Sequence, residues 1–66
     1  MRAPLTDREK RTIIINRTAR TSVIYGMLES TDKARAEVCT LLKAGRATKI
    51  VDTEETLVYI LKDLKQ

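Results

Sequence analysis

The sequence predicts a small α+β domain with the order strand–strand–helix–strand–strand, in which a four-stranded antiparallel sheet carries one helix on one face. Three observations predict this fold. They are a run of β-branched residues early in the chain, a well-capped helical pattern in the middle, and two apolar segments near the end that suit a hairpin. The 66 residues are enough for one domain, residues 1–66.

The first two strands are predicted from β-branched residues. Residues 1–10 are expected to form a polar, flexible lead-in, and the spacing of Thr6 and Glu9 matches a capping box, which predicts a short helical turn. The first strand follows at residues 11–16, where three consecutive isoleucines favour a pleated sheet. After a polar hairpin connection of four residues, the second strand covers residues 21–28. A glycine within that strand predicts a bulge or a close approach of another backbone.

The helix is predicted over residues 31–44. Ser30 or Thr31 caps its N-terminus, and Asp32 adds a carboxylate where the helix dipole favours one. Gly45 follows at the position of a left-handed C-terminal cap. The apolar stripe that faces the sheet consists of Ala34, Val38, Leu41 and Leu42.

The last third of the sequence is compatible with a hairpin or a helix. As a hairpin, residues 48–52 and 56–61 form strands around a turn at residues 53–55. As a helix, Asp52 and Glu55 form a capping-box pair. We favour the hairpin because the first of these segments needs a strand partner. The alternative for the whole chain is a small all-α bundle with one long helix over residues 6–28, which eight β-branched residues make costly.

Side-chain alternation predicts more apolar sheet surface than one helix can cover. The first, second and fourth predicted strands carry aliphatic side chains on both faces, because neighbouring residues of a strand point to opposite sides. We therefore expect a homodimer or a higher oligomer, packed through the uncovered face. The alternative is that Leu5 with the N-terminal segment, or the residues after Leu61, cover this face within one chain. The expected interface residues are Ile14, Ile24, Leu28, Val58 and Ile60.

The positive charge lies in the first third of the chain. Residues 1–20 contain six Lys or Arg and two acidic residues, and the rest of the chain is neutral. Such a segment suits phosphates, so a nucleic-acid site is one hypothesis, which requires Arg11, Arg17 and Arg20 on one face. The plainer interpretation is a solvated edge that is kept soluble by its charge. The candidate anion- or nucleic-acid-binding residues are Arg8, Lys10, Arg11, Arg17 and Arg20.

Catalytic and metal chemistry are not expected. The chain has no histidine, which removes the usual general base and the usual zinc ligand sets. The single cysteine, Cys39, lies beside the apolar stripe of the helix and is interpreted as a buried structural thiol. Asp52, Glu54 and Glu55 form an acidic cluster that suits a solvated turn better than a magnesium site. We predict no enzyme activity, no metal and no cofactor.

Three functions fit these observations. The first is a non-enzymatic binding protein of the inhibitor, adaptor or regulatory type, which contacts a macromolecular partner and itself. The second is a nucleic-acid-binding protein, and the third is an oligomer that holds a small anion such as a nucleotide between subunits. The longest apolar run has five residues, so no membrane partner is expected. One cysteine and no signal-peptide pattern predict a cytoplasmic protein.

Overall fold

A computed structural model describes residue 6 and residues 8–62. It confirms the α+β class, with one helix and an antiparallel sheet, and the all-α alternative is wrong for this part of the chain. A 3-10 helix, Glu9–Arg11, precedes the first strand. The other elements are β1 (Thr12–Asn16), β2 (Thr21–Ile24), β3 (Met27–Ser30), α1 (Thr31–Lys43), β4 (Ala47–Asp52) and β5 (Thr56–Leu61).

The sheet has five strands in the order β3-β2-β1-β5-β4, one more than predicted. The extra strand arises because the predicted strand over residues 21–28 folds back on itself at Tyr25 and Gly26. Both residues have positive φ, 54° and 82°, as the mirror-image two-residue hairpin turn requires. Gly26 therefore lies in a turn and not in a bulge. Ile24 pairs with Met27 across this turn, and Val23 pairs with Leu28.

Tyr25 adopts a backbone conformation that is uncommon for a bulky residue. Two contacts hold it there. Its ring packs against the core, and its hydroxyl donates a hydrogen bond to Glu37 Oε2 on α1 at 3.0 Å. Desolvation, followed by the Glu37 contact, raises the pKa of the Tyr25 phenol above its ordinary value. The Tyr25 side chain therefore links the β2–β3 turn to the helix.

Helix α1 begins where the sequence predicts. The Ser30 hydroxyl accepts a hydrogen bond from the Lys33 N–H at 3.1 Å, which satisfies one of the free donors of the first turn. Ala34 is fully buried, so the start of the helix lies close to the sheet. The core between helix and sheet consists of Ile13, Ile15, Ile24, Ala34, Val38, Leu41, Ala47 and Tyr59.

A buried hydroxyl pair fixes the start of the helix to the sheet. The Thr31 hydroxyl donates to the Ala19 carbonyl and lies 2.8 Å from the Ser22 hydroxyl. Because the single Thr31 hydroxyl proton is used for Ala19, Ser22 is the donor of this pair. Ser22 also accepts a hydrogen bond from the Asn16 N–H at 3.0 Å. The two buried hydroxyls are therefore satisfied, which avoids the cost of an unpaired polar group.

The predicted hairpin at the end of the chain is confirmed as β4 and β5. Central strand β1 pairs with β5 over five residues, and this pairing outweighs the local signals for a helix. The Thr53 hydroxyl accepts hydrogen bonds from the N–H groups of Glu55 and Thr56, which closes the turn between the two strands. In β4 the register shifts between Lys49 and Val51, so Ile50 forms a bulge.

The predicted capping box is confirmed. The Thr6 N–H donates to Glu9 Oε1 at 2.9 Å, and the Glu9 N–H donates to Thr6 Oγ1 at 3.1 Å. The flexible lead-in predicted for residues 1–10 is otherwise largely outside the described residues. Leu5 and residues 63–66, the alternative cover for the open sheet face, are also outside them.

Gly45 ends the helix as predicted. Its φ is +69°, its N–H donates to the Leu42 carbonyl, and the Arg46 N–H donates to the Leu41 carbonyl. This pair of hydrogen bonds is a Schellman motif, which favours glycine because side chains are strained at positive φ.

Replacing Gly45 with alanine is expected to destabilise the fold by about 1 kcal/mol, because a Cβ is strained in the left-handed region. Among the described residues, no atom lies within 4 Å of the position that this Cβ would take, so the loss comes from the backbone alone. Gly45→Asn is the control and should lose less, since asparagine tolerates this conformation. Chemical unfolding measures both variants. An alanine variant as stable as the original chain would contradict this assignment.

Candidate interaction surface

Within the described residues, α1 packs on one face of the sheet, and we call the other face the open face. Its members follow from the strand pairings, in which directly opposite residues point to the same side. They are Thr12, Ile14, Asn16, Thr21, Val23, Leu28, Ser30, Thr48, Val51, Thr56, Val58 and Ile60. None of these residues is charged, although charged residues make up 33% of the chain.

The aliphatic side chains of the open face are incompletely covered in the single chain. Leu28 is 75% exposed, and Ile14 and Val51 are 38% and 39% exposed. Val23, Val58 and Ile60 are partly buried by their neighbours in the sheet. These six residues come from all five strands and lie on the same face of the sheet. Such a continuous apolar surface is typical of a contact site.

Four of the five predicted interface residues lie together on the open face, and Ile24 does not. Ile24 is 7% exposed and is buried beneath α1, which corrects its assignment. The error follows from the missed turn, because an uninterrupted strand over residues 21–28 would place Ile24 and Leu28 on the same side. The turn instead pairs Leu28 with Val23, so Val23 is the residue that the sequence reasoning missed.

A hollow of about 240 Å³ lies at one end of the open face. Ile14 and Val23 form its apolar part, and Arg8 and Glu9 line it from the start of the chain. Arg8 is the one cation that lines it, so among the described residues the hollow gives an anion a single charged contact. Arg11, Arg17 and Arg20, the arginines expected to hold a small anion between subunits in the third predicted function, do not line this hollow.

The predicted cationic residues do not form one cluster. Arg8, Lys10 and Arg11 precede β1, whereas Arg17 and Arg20 follow it. The five residues of β1 separate the two groups by roughly 16 Å at the usual rise of a strand. Arg11 is therefore not brought together with Arg17 and Arg20, which was the condition for a continuous phosphate-binding surface.

Arg17 is bound to an acidic partner. Its Nη2 lies 2.8 Å from Asp52 Oδ1, while Lys49 Nζ lies 2.9 Å from Asp52 Oδ2. The hydrogen bond and charge of Lys49, followed by those of Arg17, hold the pKa of Asp52 below its ordinary value. The Asp52 contact in turn raises the pKa of Lys49. The one carboxylate of Asp52 therefore offsets one of the two positive charges that contact it.

The remaining candidates for chemistry stay apart. Among the residues that the structure describes, no three side chains of the metal-ligating types gather into a site. Cys39 is exposed, which corrects the prediction of a buried thiol. The reason is that it lies on the side of α1 above a part of the sheet that the helix leaves uncovered, where it lines a groove with Leu42 and Leu57.

The comparisons with known proteins give no relative. No protein-family model matches the chain, and no curated protein or solved structure is significantly similar to it. In the part of the chain described by the structure, no helix combines the length and the apolar character that crossing a membrane requires.

The carboxyl group of Asp52 is expected to titrate below its ordinary pKa of 3.8, and Lys49 is expected to contribute more than Arg17. Lys49→Gln should therefore raise the pKa of Asp52 more than Arg17→Gln does. Because the folded-state pKa is lowered, the stabilisation by Asp52 is present above the ordinary carboxyl pKa and is lost as the pH falls through the lowered value. A carboxyl-carbon NMR titration measures all three proteins. An Asp52 pKa unchanged by both substitutions would contradict the assignment.

Proposed function

We propose that the protein is a non-catalytic binding module of the inhibitor, adaptor or regulatory type, and that it forms a homodimer through the open face. The observation that carries this proposal is the uncharged surface of twelve sheet residues with exposed aliphatic side chains. A domain of this size has little core of its own, and burial of such a surface adds several kcal/mol at about 25 cal/mol per Å².

Charge favours a second copy as the occupant of the open face. The chain has a net charge of +4, so two copies repel each other wherever their cationic surfaces meet. The open face is free of charged side chains at its twelve paired positions, and two such faces can approach without like charges in contact. It also offers no charge with which to attract an acidic partner. Two sheet faces pack about 10 Å apart in a sandwich, with a small angle between their strands.

The size of the open face predicts a dimer of modest affinity. Five strands about 4.8 Å apart and about five residues long give a face of roughly 400 Å². Two such faces together fall below the roughly 1,200–2,000 Å² of most stable interfaces, in the range of weak and transient complexes. We therefore expect a dissociation constant in the micromolar range, so that monomer and dimer exchange readily.

The two other predicted functions receive less support from the geometry. The cations proposed for nucleic acid are divided between the two ends of β1, and Arg17 is paired with Asp52. A small anion would contact one arginine, Arg8, in the hollow of each chain. A binding function that uses apolar surface needs neither arrangement.

Leu28→Glu is expected to convert the dimer into a monomer, because it places a charge in the apolar interface. Leu28 is 75% exposed in the single chain, so this change leaves the monomer folded. Met27→Glu is the matched control: Met27 is the neighbouring residue of the same edge strand, is 61% exposed, and points to the opposite face. Sedimentation equilibrium over roughly 1–500 μM protein measures the mass of each variant.

The original chain and Met27→Glu should both approach twice 7.5 kDa as the concentration rises, and Leu28→Glu should remain at 7.5 kDa. A monomeric original chain at every concentration would overturn the homodimer. Equal loss of the dimer in both variants would indicate pairing along the β3 edge and would overturn the assignment to the open face.

A further inference from the structure

The helix leaves one corner of its own sheet face uncovered. Helix α1 begins directly after β3, at one edge of the sheet, and ends just before β4, at the other edge. It therefore crosses the sheet diagonally, and a helix about 10 Å wide cannot cover five strands that together span about 20 Å. Tyr25, with its hydrogen bond to Glu37, occupies the corner beside the β2–β3 turn. The opposite corner, above β5, has no such side chain among the described residues.

That corner is an apolar groove of about 290 Å³. Its floor is formed by Ile15, Leu57 and Tyr59 of the sheet, and its wall by one side of α1. Leu42 belongs to this wall and is 45% exposed, which is unusual for the central apolar side of a helix that faces a sheet. The residues of the wall are Arg35, Val38, Cys39, Leu42 and Lys43.

The charges that border the groove are positive. Arg35 and Lys43 line it about 12 Å apart along α1, at the usual rise of 1.5 Å per residue. Among the described residues, no acidic side chain lines the groove and neither of the two cations forms a salt bridge. Across the groove, Asp52 is already bound by Lys49 and Arg17. The groove therefore combines an apolar floor with a cationic border.

We propose that this groove binds an amphipathic α-helix of a partner protein, with an apolar stripe against Leu42, Leu57 and Tyr59 and acidic residues against Arg35 and Lys43. A stripe with apolar residues at i, i+3 or i+4, and i+7 matches a groove of this length, which requires two to three helical turns. Charge complementarity identifies the partner as acidic. A second copy of the chain does not fit, because it would bring its own excess positive charge to the same border.

An added strand is a poorer occupant than a helix. A strand would have to pair with the neighbouring sheet edge, β4, where the bulge at Ile50 interrupts the regular ladder. Lys49 on that edge strand also discourages pairing with another strand. The free volume lies above the sheet and beside α1, where the second helix of a two-layer fold would pack.

The groove and the open face lie on opposite sides of the sheet. A partner helix can therefore bind whether or not the chain dimerises, and the two proposals fail separately. The sole cysteine of the sequence gives a direct measurement, because Cys39 is exposed and lines the groove. A partner helix bound in the groove shields the Cys39 thiol and slows its reaction with an aromatic disulfide reagent.

The test uses two synthetic helical peptides of 14 residues with the same leucine stripe. One carries glutamates beside the stripe, and the other carries lysines. At saturation the glutamate peptide is expected to slow the reaction of Cys39 at least tenfold, and the lysine peptide should leave the rate within twofold of the free protein. Circular dichroism confirms that each protein variant used in the following comparison is folded.

Charge reversal in the protein should reverse the preference. In Arg35→Glu with Lys43→Glu, the lysine peptide should protect Cys39 and the glutamate peptide should not. Lys10→Glu with Lys62→Glu is the control, because it changes the net charge equally at exposed residues that do not line the groove. In this control variant, the glutamate peptide should protect Cys39 as it does in the original chain.

Several results would overturn the proposal. They are protection by neither peptide, equal protection by both, or an unchanged preference after charge reversal at the groove. Protection that grows with protein concentration in the absence of peptide would assign the groove to a second copy. Protection without peptide that is lost when the chain is ended after Lys62 would assign it to residues 63–66.

Discussion

The fold depends on a mismatch between one helix and five strands. Helix α1 has 13 residues and is the sole covering layer among the described residues, whereas the sheet presents two faces of roughly 400 Å² each. The helix buries the side chains of Ile13, Ile15 and Ile24, which form the centre of the core. Among the described residues, this leaves the aliphatic side chains of the opposite face and one corner of the helix-bearing face incompletely covered.

The position of the helix is set by a few specific contacts. Thr31 and Ser22 attach its first turn to the start of β2, and Gly45 directs the chain from its last turn into β4 at the far edge. These two attachments produce the diagonal crossing. They also explain why Tyr25 tolerates an unfavourable backbone conformation, since its ring and hydroxyl fill the corner beside the β2–β3 turn. Within the described part of the chain, no side chain fills the opposite corner in this way, and the groove lies there.

Most of the architecture could be predicted from local chemistry. The isoleucine run, the Ser30 cap and Gly45 each act through near neighbours, so the sequence alone identified β1 and both ends of the helix. The terminal hairpin was predicted against a competing helix because β4 needed a partner strand. Three members of the open face, Ile14, Val58 and Ile60, followed from simple alternation of side chains, since that rule requires only the strand assignment. Leu28 was assigned to this face through a strand that in fact turns back at Gly26.

The errors have equally definite causes. A tyrosine with positive φ is rare, and without an asparagine or aspartate before Gly26 the sequence lacks the usual signal for a two-residue turn. Because that turn was not predicted, β3 was not recognised as a separate strand. For the same reason Ile24 was assigned to the open face in place of Val23. The exposure of Cys39 and Leu42 depends on the diagonal course of α1, and the Arg17–Asp52 pair joins residues 35 positions apart. Local sequence patterns contain no information about the course of the helix or about ion pairs between distant residues.

The two surfaces differ in charge in a way that separates their occupants. The open face lacks charged side chains at its paired positions and suits an identical uncharged face, whereas the groove has a cationic border and suits an acidic partner. The chain has a net charge of +4, so a single cationic surface that served both for dimerisation and for binding an acidic partner would repel a second copy. In the proposed dimer, self-association would stabilise the small core without occupying the groove.

The central claim is that a second copy covers the open face. An isotope-filtered NMR experiment on a mixture of labelled and unlabelled chains tests it most directly, because it detects contacts between different molecules only. The account predicts intermolecular contacts among the methyl groups of Ile14, Val23 and Val58. Intermolecular contacts confined to Met27 or Leu42, or none at millimolar protein concentration, would contradict it.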